Sequence, residues 1–376
     1  MRVGLIDAVE QVGEAAWRPL EPPDFPFFDH EFLDALERSG SVGPGSGWDP
    51  VHLVCEVDGR LVGAMPLYLK TDSYGEYVFD WEWAHAYHQH GMSYYPKLVA
   101  AVPFTPATGP RILLAPGVDR ATVTRALLDA AREIGEEHGA SSTHALFVPG
   151  GDLEEFERRG FAVRHSLQFH WRNRGYETFQ DYLGALTSKR RRQISRERRQ
   201  LDEDLTIERL TGDALGPGHA DTMYRFYMAT ADRKWGSPYL NRAFFLDVFE
   251  TMRDRLLFVL ARDGAGRPVA GTINFYKDGA LFGRHWGAVQ DRRNLHFELC
   301  YYQTIEFAIE HQIKLFEAGA QGEHKLARGF LPTLTYSAHE VRHPAFRRAI
   351  WQFVEEEKEY LDRAVEEYSR HDPYRR

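Results

Sequence analysis

The chain has 376 residues, more than one ordinary hydrophobic core fills, so two domains or two fused halves are expected. At 43% hydrophobic, 13% aromatic and 27% charged residues of both signs, the composition excludes an intrinsically disordered chain. A net charge of −9 excludes a general nucleic-acid coat protein and leaves only local basic segments as candidate polyanion contacts.

From the N-terminus, Met1 to Trp17 place no long apolar run behind a basic leader. No later stretch reaches the ~18 apolar residues of a membrane span, so a cytoplasmic chain is expected. In FFDHEFLDALERSG, Phe28, Phe32, Leu33 and Leu36 share one helix face, with Gly40 as the C-terminal stop. Leu53 to Lys70 reads as strand, tight turn, strand, the turn being Asp58-Gly59. Residues 71–97 form an aromatic, charged insertion containing Glu76, Asp80, Trp81, Trp83, Tyr94, Tyr95 and Lys97. It reads either as the wall of a substrate groove between the halves or as a packed aromatic subcore. His85, His88 and His90 lie close together, but no Cys or patterned carboxylate completes a metal set, and no metal is expected. A strand at RILLA, a helix from Arg120 to His138 and a strand at THALFVP complete the first half. The boundary is expected near Arg172 to Tyr176, giving an N-terminal domain 1–172 and a C-terminal domain 173–376.

The second half opens on SKRRRQISRERR, Ser188 to Arg199, where seven Lys/Arg, among them Lys189, Arg190, Arg191, Arg192 and Arg196, face one acid, Glu197. This is either a solvated helix face or a phosphate-binding arm. Two helices follow, MYRFYMATADRKWG and NRAFFLDVFETMRD, and then the strand LLFVLAR. A second hairpin, Val259 to Gly279, repeats the pattern of the first around Asp263-Gly264-Ala265-Gly266. Next come the strand ALFGRHWG, a helix from about Leu295 to His311 apolar over more than one stripe, and the strand KLFEAG. A final helix from Pro344 to about Arg370 packs on its own body or pairs with another chain. Only two cysteines occur, Cys55 in a strand and Cys300 in a helix, and both read as small buried apolar groups. The order helix, helix, hairpin, strand, helix, strand, with a looser copy in the first half, predicts an α/β (α+β) protein. Each half is a mixed β-sheet flanked by helices.

Several strings go beyond the order of elements: GEYVFDWEWAHAY, YYPKLVAAVPFTPATGPRIL, GRHWG, LHFELCYYQTIE and GAQGEHKLARGFLP. Together they resemble the FemAB-like family, described as peptidoglycan biosynthesis/recognition, within the GNAT acyltransferase superfamily. The resemblance runs from the first hairpin to His339. It implies tandem GNAT-like halves as in the Fem aminoacyltransferases, which move an amino acid from aminoacyl-tRNA to an amine. It also implies that the basic run occupies the place of their helical arm.

Ordinary GNAT enzymes hold acyl-CoA pyrophosphate on a Gly-rich loop at a helix N-terminus. The corresponding junction here, WGAVQDRRNLHFE, lacks that spacing, although Arg292 and Arg293 remain available for an anion. The missing loop makes acyl-CoA the alternative donor; the resemblance implies aminoacyl-tRNA as the co-substrate, and no permanently bound cofactor is expected. In GAQGEHKLARGF, the glycines permit close backbone approach while Gln321, Glu323, His324, Lys325 and Arg328 gather acceptor, base and cations. The competing reading is that these residues cap the next helix and pair with one another. Amide formation needs the amine deprotonated and an oxyanion stabilised. Glu323 or His324 suits the first task; Lys325, Arg328 or Arg284 suits the second. Glu298 joins the catalytic set. His296, two residues earlier, points elsewhere on the helix and is assigned to substrate with Arg284, His285, Trp286, Glu317 and Gln321. Glu317 sits among apolar neighbours and needs a partner, for which Arg284 or His285 is the expected choice. No nucleophile elbow or Cys-His pair is present, so direct attack without a covalent enzyme intermediate is expected. The acceptor is expected to be an amine-bearing small molecule or peptide. A different class remains open: a non-catalytic module gripping a peptide or cell-wall fragment on the aromatic insertion.

Overall fold

The computed structural model describes residues 1–233, 238–319 and 322–375, without the side chains at 232, 233 and 323. The chain opens with β1 (Arg2–Ile6), α1 (Glu14–Trp17), α2 (His30–Arg38), β2 (Trp48–Pro50), β3 (His52–Val57), β4 (Arg60–Met65) and β5 (Tyr68–Lys70). There follow α3 (Trp81–Gln89), β6 (Lys97–Ala100), β7 (Leu113–Leu114), α4 (Arg120–Glu137), β8 (Ser142–Val148), α5 (Leu153–Glu157) and β9 (Ala162–Arg172). Next come α6 (Phe179–Ala185), α7 (Ser188–Arg199), β10 (Thr206–Leu210), α8 (Pro217–Arg233), α9 (Arg242–Thr251), β11 (Leu256–Arg262), β12 (Pro268–Lys277) and β13 (Ala280–Ala288). The chain closes with α10 (Leu295–Phe297), a π turn (Glu298–Tyr302), α11 (Gln303–Glu310), β14 (Leu315–Glu317), a 3₁₀ turn (Glu323–Arg328), β15 (Leu331–Val341) and α12 (Pro344–Arg370).

Two compact units result. The first is Met1–Pro22, Phe27–Leu167 and Leu334–Ala364; the second is Pro23–Pro26, Gln168–Thr333 and Val365–Arg376. The chain changes unit inside β9 and again inside β15, so a single division into 1–172 and 173–376 does not describe it. The reason is strand pairing. From Tyr336↔Val148 to Val341↔Ser142, β15 adds antiparallel to β8, and this draws residues 334–364 into the first unit.

In the first unit, strands run in the order β1-β3-β4-β7 in one sheet and β15-β8-β6-β5-β2 in another, the β6–β8 pair being parallel. The expected hairpin turn is present. Val57 pairs with Arg60 around Asp58 and Gly59, whose φ angles of 51° and 75° are those of the tight two-residue turn. Pro66, which has no N–H to give a ladder, separates β4 from β5 where a continuous strand to Lys70 was expected. Helix α4 lays Val123, Leu127, Leu128 and Ala131 on Leu53, Met65 and Leu98, and each such buried side chain contributes about 1.5–3 kcal/mol. The insertion contains α3, whose Trp83 and Tyr87 pack with Ile350 and Val354 of α12, so that the final helix covers its own body.

The second unit runs β10-β11-β12-β13-β14-β9, antiparallel except for the β13–β14 pair. Helix α8 crosses β13 at Gly287, where a Cβ would stand 2.0 Å from the Phe226 carbonyl oxygen. Thr230 Oγ1 donates to the Trp286 carbonyl 3.0 Å away at the same crossing. The ladder slips between Ile273↔His285 and Asn274↔Gly283, leaving Arg284 as the extra residue of a bulge. The helix expected from Leu295 to His311 is present but is interrupted by the π turn, which admits one extra residue per turn and re-aims the side chains beyond it. Among the described residues no helix is long and apolar enough to cross a membrane.

Candidate active site

Helix α7 has two chemically distinct faces. Ile194 and Glu197, three residues apart, point inward and are buried. Glu197 receives Arg328 Nη2 at 2.7 Å, Gln193 Nε2 at 2.9 Å and the Tyr302 hydroxyl. Burial raises the Glu197 carboxyl pKa, but the Tyr302 and Gln193 hydrogen bonds and the Arg328 charge outweigh it and hold the group below its ordinary value. Beside it, Arg198 grips Glu298 through Nη2 at 2.9 Å and Nε at 3.2 Å and reaches Glu306 at 3.1 Å. The opposite face carries Lys189, Arg192, Arg196 and Arg199, all exposed, at spacings of three and four residues that align them in a stripe. Among the described residues no carboxylate pairs with any of these four, nor with Arg190 or Arg191, which lie half-buried beside them.

The turn after β14 completes this group. Arg328 is 2% exposed and fully engaged: Nε meets the Tyr302 hydroxyl at 3.0 Å, Nη1 donates to the His324 carbonyl at 2.8 Å, and the Phe297 ring lies 3.5 Å from its guanidinium. It therefore fastens the turn to α7 and to the π turn, a different task from the oxyanion donor expected of it. Lys325, also 2% exposed, donates to the Gly319 carbonyl at 2.7 Å. Burial lowers its pKa to about 8, with the Cys300 thiol acting weakly the other way. His324 is exposed and shares a 2.8 Å hydrogen bond between Nε2 and the Tyr301 hydroxyl. Its pKa is lowered by partial desolvation and then by the charges of Arg328 and Lys325, so the imidazole is neutral at pH 7.

Around His324 the structure gathers an aromatic shell. His296 stands edge-on to Trp286 at 5.1 Å and to His324 at 6.1 Å, and Phe297 lies 5.7 Å from His324. Arg284 is half-buried at the bulge of the same strand as Trp286. His285 faces the other side of β13, packed on Tyr227 at 5.1 Å and Phe245 at 6.3 Å, and is separated from this group. Glu317 is 3% exposed with His170 Nδ1 of β9 at 3.9 Å, a partner absent from the sequence expectation. Gln321 lies outside the described residues, as does the side chain of Glu323. Arg292, at the helix entrance, is tied to Asp202 at 2.8 Å and to Asp204 at 3.7 Å. Sequence reasoning missed Tyr301, Tyr302, Arg198 and the inward role of Glu197. The available signal was the three-residue spacing of Ile194 and Glu197 inside a basic helix.

The first unit holds a second polar cluster. Lys97, 0% exposed, donates to Ser73 at 2.8 Å and Glu76 at 2.8 Å and also pairs with Asp80. Tyr94 donates to Asp80 at 2.6 Å, and Tyr95 shares a 2.8 Å hydrogen bond with Ser73. Burial raises the Glu76 pKa to about 7 against the pull of Lys97. Glu76, Asp80, Tyr94, Tyr95 and Lys97 are thus brought together and closed on one another in a packed polar subcore inside the unit, whereas Trp81 of the same insertion is exposed. The His144–His339 pair, with Nδ1 atoms 2.6 Å apart, continues it, and burial keeps both rings neutral. Among the described residues no group of three or more His, Cys, Asp or Glu converges as a metal site.

Solved structures share this fold. FemX superposes with a TM-score of 0.55 at 12% identity, covering 94% of this chain and 100% of its own. L-PGS from Bacillus licheniformis gives 0.50 at 10% identity over 85% of this chain and 95% of its own. The C-terminal DUF2156 domain of a putative lysylphosphatidylglycerol synthetase from Agrobacterium fabrum gives 0.54 at 10% identity over 91% and 94%. At such identities the likeness establishes the fold alone, mixed β-sheets flanked by helices as in FemX. Among curated proteins none matches the sequence. A family profile does, from residue 8 to residue 376, and the chain therefore belongs to the FemAB-like family, described as peptidoglycan biosynthesis/recognition.

Proposed function

We propose that this protein is an acyltransferase that moves an aminoacyl group from aminoacyl-tRNA to an amine acceptor in the cytoplasm, forming an amide. The observation that carries the reading is the double-faced α7. Its inner face is bonded to the candidate site through Glu197 and Arg198, while its outer face presents four exposed cations in line, none paired with a carboxylate among the described residues. A polyanion can lie along that stripe, and neutralising phosphates there releases counterions.

In this reading the amine nitrogen attacks the ester carbonyl of the donor. A C–N bond forms, the ester C–O bond breaks, and the ribose hydroxyl leaves carrying a proton. Neutral His324, oriented by Tyr301, accepts the proton of the attacking amine. Lys325, poised near pH 8, supplies positive charge to the developing oxyanion or a proton to the leaving oxygen. Arg328, Glu197 and Tyr302 position the turn and touch no substrate. An acyl-CoA donor is less well supported, because Arg292 at the helix entrance is already paired with Asp202 and Asp204.

The test is binding of bulk aminoacyl-tRNA and of acetyl-CoA across a salt series. Replacing Lys189, Arg192, Arg196 and Arg199 by Gln is expected to weaken tRNA binding. It should also reduce the slope of log affinity against log salt by roughly 3, a little under one for each phosphate no longer neutralised. Saturable acetyl-CoA binding without tRNA binding would replace the donor; absence of both would remove the transferase reading.

A further inference from the structure

A cavity of about 630 Å³ opens in the first unit at the start of α3 and along α12, within the range of about 300–1,000 Å³ typical of small-ligand sites. None of its lining residues is among those assigned to transfer. Its floor is Trp83, 5% exposed, and Arg164, whose guanidinium lies 5.2 Å from the Trp83 ring centre and 5.5 Å from that of Phe353. Arg164 is already satisfied. Its Nε and Nη2 reach Glu357 at 2.6 and 2.8 Å, and Nη1 donates to the Phe79 carbonyl at 2.7 Å. The Arg164 charge is thus cancelled within the floor.

The walls and rim are different. Phe79 is 56%, Trp81 42% and Tyr360 65% exposed, and Tyr74, 61% exposed, stands edge-on to Trp81 at 5.2 Å. Most of the exposed aromatic rings on the described surface thus collect at one opening, and rings left in water together mark a surface kept for binding. Between them stand two further carboxylates, Glu82 and Glu356, both exposed. Among the described residues neither is paired with a cation; Glu356 accepts only the amide of Gln352 at 2.8 Å. Ring faces carry negative quadrupole density and the carboxylates add formal charge, so the cavity repels anions and suits a cation with an apolar envelope.

We infer that this cavity binds an organic ammonium group, whether of a free small molecule or of a lysine side chain in a peptide. Trp81, Phe79 and Tyr360 cage the alkylated nitrogen, and Glu82 and Glu356 supply the countercharge.

The experiment titrates the full chain with choline, with a blocked Gly-Lys-Gly tripeptide and with 3,3-dimethylbutan-1-ol, the uncharged isostere of choline, by calorimetry and tryptophan fluorescence. Saturable binding of choline or of the tripeptide, at least about tenfold tighter than the alcohol, is expected. Which of the two cations binds tells a small-molecule site from a peptide site. Trp81→Ala and the double change Glu82→Gln with Glu356→Gln should each weaken it about tenfold. Trp351→Ala, an exposed tryptophan that does not line the cavity, should leave binding unchanged. All these positions are exposed, so unaltered unfolding midpoints are expected and separate lost binding from lost fold. Equal binding of the alcohol and choline, binding of a neutral hexose in their place, or no saturable binding of either cation would overturn the inference.

Discussion

Two buried lysines illustrate how differently one residue type is used. Lys325 carries its ammonium into the second unit with the Gly319 carbonyl as its acceptor, and burial lowers its pKa to about 8 from the usual 10.5. That difference corresponds to a folding penalty of about 3 kcal/mol. A lysine depressed in the folded state destabilises fully below its folded value and is relieved as pH rises toward its unfolded value. Lys325→Met should therefore raise urea stability by on the order of 1–3 kcal/mol at pH 7, with the gain fading between pH 8 and 10.5, while transfer activity is lost. Lys97 is the converse. It stands between Glu76 and Asp80, and although burial raises the Asp80 pKa, the Lys97 charge and hydrogen bond outweigh it and hold that carboxyl below its ordinary value. Lys97→Met should cost about 3–5 kcal/mol, because two buried carboxylates are left unpaired. Chemical denaturation should show a smaller loss at pH 5 than at pH 8, since the orphaned carboxylates protonate. Both lysines were legible as interesting in the sequence. Their surroundings were not, because burial and the partners of Lys97, drawn from 17 to 24 residues away, leave no local pattern.

At the level of elements, the parts with strong local chemistry were the parts that could be read. The Asp58-Gly59 turn, α4 and the strand β13 follow directly from turn residues and periodicity. Strand β15 escaped because its inward positions Thr335, Ser337 and His339 are polar, 1–2% exposed, so the alternation that marks a half-buried strand is present without its apolar signature. The π turn escaped because one added residue hardly disturbs a helical pattern that is apolar nearly all round. The bulge at Arg284 and the crossing at Gly287 likewise depend on neighbouring strands and helices. Gly287→Ala should destabilise by about 2–4 kcal/mol, since its new methyl meets backbone at 2.0 Å and α8 must move away from β13. A thermal scan reads the loss, and transfer activity should fall with it because Trp286 shares that stretch of strand.

Across the whole molecule, the duplicated pattern predicted two cores but not how the chain is shared between them. Residues 334–364 belong to the first unit although they follow the main segment of the second, Gln168–Thr333, in sequence. A fragment 1–172 should therefore lack the β15 partner of β8 and the Ile350 and Val354 cover over Trp83 and Tyr87. Expressed alone it should show no cooperative near-ultraviolet transition, and co-expression with 173–376 should restore one. The same sharing sets a timetable for synthesis. After Leu167 leaves the ribosome, roughly 200 further residues must be made before the last segment of the first unit is available. At about 5–20 residues per second that is an interval on the order of 10–40 s. Throughout it, the nascent chain has the unpaired edge of β8 and the uncovered rings of α3 exposed to whatever else is in reach.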